Sequence, residues 1–177
     1  TGQWRIELND TNRPDLWSTE GIARQLRSLR DGKPRKYPVF APPRSAPKCR
    51  IVVDARLRTV RPYIAAVRAR GVAVTEPMLV ALIQTQEKLA EGFGKRRRDA
   101  SVGLYRAGKI RWPVAYQAVP RDSSPFVPLG AEQAMTPAEI LARHPKGMAY
   151  RAILEGHDMV PILRDVPLAR ALFELEV

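Results

Sequence analysis

The stretch from Ala81 to Val102 constrains this chain more than any other part of it. Apolar residues recur at helical spacing as far as Leu89, two glycines then interrupt the pattern, and four cations follow at residues 95–98. An amphipathic pattern that runs into glycines predicts a helix ending at that point. The next residues, 100–104, are typical of a short apolar strand. We therefore expect a dense positive charge where a helix meets a strand.

The overall charge points to an anionic partner. The chain has 177 residues, 45% of them hydrophobic, and a formal net charge of +12 at pH 7. A chain of this composition buries a core, so the charge belongs to a folded protein rather than to a disordered tail. Such an excess favours nucleic acid first and an anionic membrane second. The alternative is that the charge serves solubility alone.

The basic run itself is the strongest nucleic-acid signal in the sequence. It consists of four consecutive cations, Lys95, Arg96, Arg97 and Arg98. A guanidinium group can donate two parallel hydrogen bonds to phosphate oxygens. Tyr105 and Trp112 follow closely and offer faces on which bases stack. Two other interpretations stay open, because basic runs often have no ligand. The run is either a solvated turn, or its cations pair with nearby acidic residues, Glu87, Glu91 and Asp99.

Other chemistry is poorly represented. Cys49 is the only cysteine, which excludes an internal disulfide and a zinc site built from several cysteines. A single cysteine fits a reducing compartment, so we expect a cytoplasmic protein. His144 and His157 are isolated, so we predict no metal site. Residues 92–95 lack the glycine spacing and the lysine–hydroxyl pair of a nucleotide loop, so we predict no cofactor in this chain. No apolar run approaches the roughly 20 residues of a membrane helix, so we expect no membrane partner.

Strand and helix signals alternate irregularly along the chain. This order predicts an α+β fold with mixed or antiparallel sheets and packed helices, rather than a doubly wound sheet. Alternating or β-branched runs predict strands at residues 4–8, 50–55, 62–70, 100–104, 114–119 and 159–163. Helical spacing predicts helices from about 18 to 31, from 75 to 89, from 136 to 143, after 146, and from 168 to 175.

Local end signals support three of these helices. Either Ser18 or Thr19 can cap the first helix, Gly32 is a good C-terminal stop, and Ile22, Leu26 and Leu29 make its buried stripe. Thr75 fits the cap of the second helix, with a proline in the first turn. Thr136 and Glu139 form a capping-box signature for the third.

Prolines predict the domain boundary. Five of them lie between Lys33 and Lys48, where they remove backbone donors and oppose both helix and central strand. We predict a βα segment at 1–32, a proline-rich basic linker at 33–48, and a larger module at 49–177. The first residue is threonine rather than a start methionine, so a fragment of a longer protein is one interpretation of the chain.

Several motifs, taken together and in order, resemble the β subunit of archaeal and eukaryotic phenylalanyl-tRNA synthetases. The resemblance covers about residues 4–165 and includes that subunit's N-terminal segment and its B3/B4 module. It is carried by residues 6–18, 61–66, 84–89, 95–98, 101–103, 126–130, 135–141 and 144–147.

The resemblance implies a role in charging tRNA with phenylalanine. In this family a partner α subunit, assembled with β as a heterotetramer, carries the ATP- and Mg-dependent aminoacylation, and B3/B4 hydrolyses tyrosine misattached to the tRNA. Editing is needed because a pocket for phenylalanine rejects an added hydroxyl imperfectly. The resemblance assigns tRNA contact to residues 95–98 and leaves the catalytic group unknown. It places the editing pocket at Gln86, Ser101, Gly103, Tyr105 and Arg106.

Two departures from the family pattern separate two hypotheses. Tyr105 and Arg106 stand where the family typically has a histidine–aspartate pair. After Asp165 the family continues into further strands, whereas this chain ends at Val177. We therefore expect the C-terminal part of the module to be incomplete, either because the chain is truncated or because this lineage has a reduced editing module. The first hypothesis is an editing module of phenylalanine–tRNA ligase. The alternative, which both departures favour, is a non-catalytic module that binds tRNA or forms a subunit interface.

Overall fold

The predicted α+β class is confirmed. The structure, a computed structural model, describes residues 5–9, 12–34, 36–37 and 49–165. It contains helices and a three-stranded mixed sheet. Contacts group the chain into two units, the first formed by Thr1–Ala41 with Ala69–Leu104 and the second by Pro42–Arg68 with Tyr105–Val177. The three consecutive segments inferred from the prolines stay a prediction, and most of the proposed linker lies outside the described residues.

In the first unit, helix α1 (Thr19–Asp31) has the ends that its sequence predicts. The hydroxyl of Ser18 accepts a hydrogen bond from the amide of Gly21 at 3.0 Å, and Gly32 closes the helix with a left-handed φ of 66°. A short 3-10 helix, Pro14–Leu16, precedes it. This helix approaches α1 at Gly21, where a β-carbon would lie 1.8 Å from the carbonyl oxygen of Asp15.

The stripe predicted to be buried along α1 is largely exposed. Ile22 is half-buried, but Leu26 is 60% and Leu29 68% exposed, so the prediction is wrong for these two leucines. The physical reason is where α1 is packed: the close approach lies at Gly21, in the first turn, rather than along the leucine stripe.

Helix α2 (Glu76–Lys88) confirms the second predicted helix and continues as a π-helical turn, Leu89–Phe93. Thr75 occupies the N-cap position with an extended backbone, but its side chain makes no capping hydrogen bond. The apolar residues of α2 are only half-covered. Four of them are between 37% and 45% exposed, namely Met78, Leu79, Leu82 and Ile83.

The second unit is built on the sheet. Its strands are β1 (Ile51–Val53), β2 (Val114–Pro120) and β3 (Met159–Asp165), in the order β1-β2-β3. β1 runs parallel to β2 with Val52 opposite Ala115, and β3 runs antiparallel with Ile162 opposite Gln117. β2 is the central strand and five of its seven residues are buried. All three strands were predicted near these positions.

A small core lies against this sheet. Leu57, from the 3-10 helix Ala55–Thr59, is fully buried and packs with Tyr116 and Ala118. Burial raises the pKa of the Tyr116 phenol. The partly buried residues that complete the core are Ile51, Ile64 and Met159.

Asp54 anchors the loop that carries Leu57. Its carboxylate accepts hydrogen bonds from the side chain and amide of Arg56 and, at 3.3 Å, from the amide of Ala118 in β2. The bond from the Arg56 side chain, with these amides, lowers the pKa of Asp54. One carboxylate thus fixes the 3-10 helix to the central strand.

Two short helices follow as the sequence predicts. Helix α3 (Pro137–Arg143) begins with a complete capping box, in which Thr136 and Glu139 each accept a hydrogen bond from the other's amide. The bond from the Thr136 amide is the main cause that lowers the pKa of Glu139. His144 ends α3 and precedes α4 (Pro145–Tyr150).

Strands were predicted at residues 4–8, 62–70 and 100–104, but the described residues of these stretches show no strand pairing. Tyr63 and Val67 are 91% and 78% exposed. Their alternating side chains fit an extended backbone, but among the described residues no neighbouring strand supplies the ladder of hydrogen bonds. Trp4 and the predicted helix at 168–175 lie outside the described residues.

Candidate nucleic-acid interface

The basic run forms a tight turn that closes the end of α2. Here we define the basic turn as Lys95–Arg98. Its amides return to the last carbonyls of the preceding helix: Lys95 donates to Gly92, Arg96 to Glu91 and Arg97 to Ala90, at 2.8–3.0 Å. The carbonyls that a helix end leaves without donors are therefore satisfied by the basic turn itself.

The backbone of the basic turn is unusual. Lys95, Arg96 and Arg97 have φ values of 48°, 55° and 65°, all in the left-handed region. Residues other than glycine rarely adopt this conformation, and three in succession persist only where surrounding contacts hold them. The sequence contains no glycine at these positions, so nothing in it predicts the left-handed path.

Gly94 permits the turn because the chain passes very close to it. A β-carbon on Gly94 would lie 2.1 Å from the carbonyl oxygen of Ala100 and 2.7 Å from that of Ala90. Gly94 itself has an ordinary φ of −76°. The sequence prediction that this glycine ends the helix is correct, but the requirement is close approach rather than backbone freedom.

Arg97 is a structural member of the turn. Its Nη2 donates to both carboxylate oxygens of Glu87 at 2.8 Å each, and its Nε lies 3.5 Å from Glu91 Oε1. The Arg97 side chain is only 18% exposed, whereas those of Glu87 and Glu91 are each 44% exposed. The alternative in which basic residues pair with neighbouring carboxylates therefore describes Arg97, and it also applies to Lys95, which pairs with Asp99.

The other three cations are exposed. Lys95 forms an ion pair with Asp99 at 2.6 Å, and its side chain is 73% exposed. Such pairs on the surface are easily exchanged for other anions because solvent screens them. Arg96 and Arg98 are also exposed, one on each side of the anchored Arg97. The turn thus presents cations to solvent from a backbone fixed by internal contacts.

The turn is joined to the N-terminal part of the same unit. The indole of Trp17 lies 3.2 Å from the position that a β-carbon on Gly92 would take, so the ring packs directly on the π-helical turn. The Nζ of Lys88 donates to the carbonyl oxygen of Trp17 at 3.1 Å. This contact was not predictable from the sequence, because it joins residues 71 positions apart and no local pattern indicates it.

An ion-pair cluster near Trp17 was also missed. Asp15 accepts hydrogen bonds from Arg13 and from Arg24, and Arg13 also reaches Gln25. The side-chain bond from Arg13 is the main cause that lowers the Asp15 pKa to about 2. The sequence signal that could have predicted this cluster is the opposite charge of Asp15 to Arg13 and Arg24.

An open cleft of about 580 Å³ lies beside this cluster, with Ser28 and Tyr37 on its wall.

The residues predicted for an editing pocket fall on both sides of the division between units. Gln86, half-buried in the last turn of α2, belongs to the first unit with Ser101 and Gly103. Tyr105 and Arg106 belong to the second unit. The other four predicted pocket residues, Ser101, Gly103, Tyr105 and Arg106, are exposed, and Tyr105 is 71% exposed. The pocket stays a prediction.

Metal and membrane features are absent from the part of the chain that the structure describes. Within it, no three histidine, cysteine, aspartate or glutamate side chains gather as metal ligands would. Of the helices that it contains, none has both the length and the apolarity needed to cross a bilayer. Cys49 lies 3.1 Å from the guanidinium of Arg68.

Comparison with known proteins shows what this chain is similar to. No family model matches the chain. It is 49% identical over 168 residues to the phenylalanine–tRNA ligase β subunit of Treponema pallidum, which covers 91% of this chain. It is 39% identical over 165 residues to the β subunit of Pyrococcus furiosus, which covers 92% of it. The chain is a homologue of phenylalanine–tRNA ligase β subunits.

A solved β-subunit structure agrees with this assignment. The crystal structure of an N-terminal fragment of the phenylalanyl-tRNA synthetase β subunit from Pyrococcus horikoshii matches with a TM-score of 0.74 and 35% identity. The match covers 90% of this chain and 45% of that fragment. The chain spans only 28% of the β subunits of Treponema pallidum and Pyrococcus furiosus. The predicted resemblance to phenylalanyl-tRNA synthetase β subunits is thereby confirmed.

Proposed function

We propose that this β-subunit segment supports the charging of tRNA with phenylalanine by contacting the tRNA backbone through its basic turn. The observation that carries the proposal is the arrangement at the end of α2, where Arg97 is anchored internally and Arg96 and Arg98 are exposed. Exposed guanidinium groups on a fixed backbone suit phosphate oxygens, because the backbone that carries them is already ordered when the ligand binds.

The charge of the whole chain supports the same ligand. A net charge of +12 raises the local concentration of a polyanion near the protein and speeds its association. Contacts with phosphates position a nucleic acid without reading its sequence. In this proposal the basic turn guides and orients the tRNA, and recognition of the particular tRNA lies elsewhere in the ligase.

The aminoacylation reaction belongs to a partner in this proposal. The α subunit would hold ATP and Mg²⁺ and form the ester, and the β-subunit segment would contribute to the assembly and to the tRNA path. This assignment rests on the homology to phenylalanine–tRNA ligase β subunits.

The binding proposal is tested with tRNA for phenylalanine and the full 177-residue chain. Affinity is measured across a salt series for the unmodified protein and for Arg96→Ala/Arg98→Ala. The slope of log K against log salt is negative, and each lost phosphate contact reduces its magnitude by about 0.7–0.9, so the slope of the double variant should be less steep by about 1.5.

The matched control removes the same charge from the exposed side of α1. Arg27→Ala/Arg30→Ala should lower affinity slightly, through net charge, and change the slope by less than about 0.5. An unchanged slope in the basic-turn variant would leave the basic turn as a solvated helix end and remove the proposal.

Editing is the second candidate function. It rests on the similarity to phenylalanine–tRNA ligase β subunits, with Ser101 and Gly103 as exposed candidate positions in the first unit and Tyr105 and Arg106 in the second. Catalysis there would use a positioned water and groups that hold the ester, and the hydroxyl of the tRNA itself can take the place of a side-chain base.

Hydrolysis is measured directly with Tyr-tRNA and Phe-tRNA as parallel substrates. An editing module releases tyrosine faster than both the spontaneous rate and the release of phenylalanine, and Ser101→Ala or Tyr105→Ala reduces that difference. Release of tyrosine at the spontaneous rate would favour the non-catalytic alternative, in which the segment binds tRNA or forms a subunit interface.

A further inference from the structure

Two acidic residues lie beside the basic turn, and they are the starting point of a further inference. We call Glu87 and Glu91, with Arg97 between them, the carboxylate clamp. We infer that Glu87 and Glu91 are positioning residues for tRNA: by fixing Arg97 they hold Arg96 and Arg98 in the orientation that meets the phosphates. This inference rests on the proposed function of the basic turn.

The geometry of the clamp supports positioning. Arg97 is bound through both oxygens of Glu87 at 2.8 Å, and its Nε faces Glu91 at 3.5 Å. Two different nitrogens of one planar guanidinium, Nη2 and Nε, thus face two different carboxylates, and the hydrogen bonds to Glu87 together with the ion pair to Glu91 restrict its orientation as well as its distance. Since the Arg97 side chain is only 18% exposed, this orientation also fixes the backbone that carries it.

The backbone needs such a restraint. Lys95, Arg96 and Arg97 all have left-handed φ values, which cost free energy in each non-glycine residue. The amides of Arg96 and Arg97 bind the carbonyls of Glu91 and Ala90, but these bonds alone also form at helix ends with ordinary stop residues. The clamp supplies the additional contact from a side chain, and it acts in the middle of the basic turn.

A positioning role and simple electrostatics predict opposite changes in tRNA affinity when the two carboxylates are removed. Glu87 and Glu91 carry negative charge next to a surface that is proposed to bind phosphates, so Coulomb repulsion alone predicts tighter tRNA binding when they are removed. If the clamp holds the basic turn, removing both carboxylates releases Arg97 and disorders its neighbours. Binding then weakens although the protein becomes more positive.

The decisive variant is therefore Glu87→Ala/Glu91→Ala, compared with the unmodified chain at one fixed salt concentration. We expect its Kd for tRNA to rise about three- to ten-fold, because Arg96 and Arg98 must then be ordered during binding. The matched control is Glu132→Ala/Glu155→Ala, which removes two exposed carboxylates from the second unit. Its Kd should stay the same or fall.

Two further measurements separate positioning from a general loss of structure. Circular dichroism of the clamp variant should retain the helix content of the unmodified chain, since alanine favours helices. Amide hydrogen exchange should become faster at residues 95–97. Arg97→Lys, which keeps the charge but loses the planar fork, should reproduce the weaker binding and the faster exchange.

The possible outcomes distinguish the two claims. If Arg96→Ala/Arg98→Ala leaves tRNA binding unchanged, the proposed function itself fails. If that variant weakens binding while the clamp variant binds equally well or more tightly, only the positioning role is overturned. If the clamp variant does not fold, Arg97→Lys decides alone, and unchanged tRNA binding by Arg97→Lys contradicts the inference.

Discussion

The carbonyl oxygen of Ala100 lies so close to Gly94 that a β-carbon on this glycine would be 2.1 Å from it. Gly94 is buried, and the chain leaving the basic turn passes directly over it. The two residues therefore fix where the backbone returns after the left-handed residues. The approach depends on the missing side chain alone, because the φ of Gly94 is ordinary.

Gly94→Ala should destabilise the protein by about 1–3 kcal/mol, the usual cost of forcing atoms into a filled space. The free energy of unfolding by urea, followed by circular dichroism, measures this loss. Gly108→Ala is the control, because nothing lies within 4 Å of the added carbon and its φ is not left-handed. It should change stability by less than about 0.5 kcal/mol. Equal effects of the two substitutions would contradict the packing described at Gly94.

Much of the local structure was predictable, because its causes are local. Ser18 and Gly32 begin and end α1 through bonds and dihedral angles that involve neighbouring residues. The capping box of Thr136 and Glu139 is likewise contained within four residues. Sequence patterns of this kind predict an element without knowledge of what packs against it.

The structural predictions that were wrong share a different cause. Residues 62–70 alternate as a strand does, yet a strand also needs a partner, and pairing depends on distant parts of the chain. The same reason explains the exposed leucines of α1 and the contact between Trp17 and Gly92. At the candidate site the positive charge was predictable. That Arg97 is anchored while Arg96 is exposed was not predictable, because it follows from the left-handed backbone of the basic turn.

The N-caps of α3 and α2 offer a second prediction. Thr136 accepts a hydrogen bond from the amide of Glu139 at 3.3 Å, whereas the Thr75 side chain makes no capping bond. Thr136→Ala should therefore cost about 1 kcal/mol of stability, and Thr75→Ala clearly less. Urea unfolding of both variants makes the comparison. A larger loss for Thr75→Ala would show that the described cap geometry is wrong.

Asp54 predicts how stability depends on pH. Its carboxylate bonds lower its folded-state pKa below the ordinary value of 3.8, so the unfolded state takes up a proton first as pH falls. The stabilisation is present above about pH 4 and is lost progressively as pH falls through the folded-state pKa. Unfolding free energies of the unmodified chain between pH 6 and about pH 2.5 follow this loss.

Two substitutions assign the effect to Asp54. Asp54→Asn keeps an acceptor for the amide of Arg56 but removes the titrating charge, so its stability should depend less on pH in this range. Arg56→Met removes the main cause of the lowered pKa and should reduce the dependence in part. Identical pH profiles for all three proteins would exclude Asp54 as the source.

The central claim is that Arg96 and Arg98 meet tRNA while Arg97 is held inside the basic turn. Phenylglyoxal modification, read residue by residue by mass spectrometry, tests all three arginines in one experiment on the unmodified chain. We predict fast modification of Arg96 and Arg98 in the free protein, strong protection of both at saturating tRNA, and slow modification of Arg97 in either state. Equal rates at Arg96 and Arg98 with and without tRNA would contradict the account.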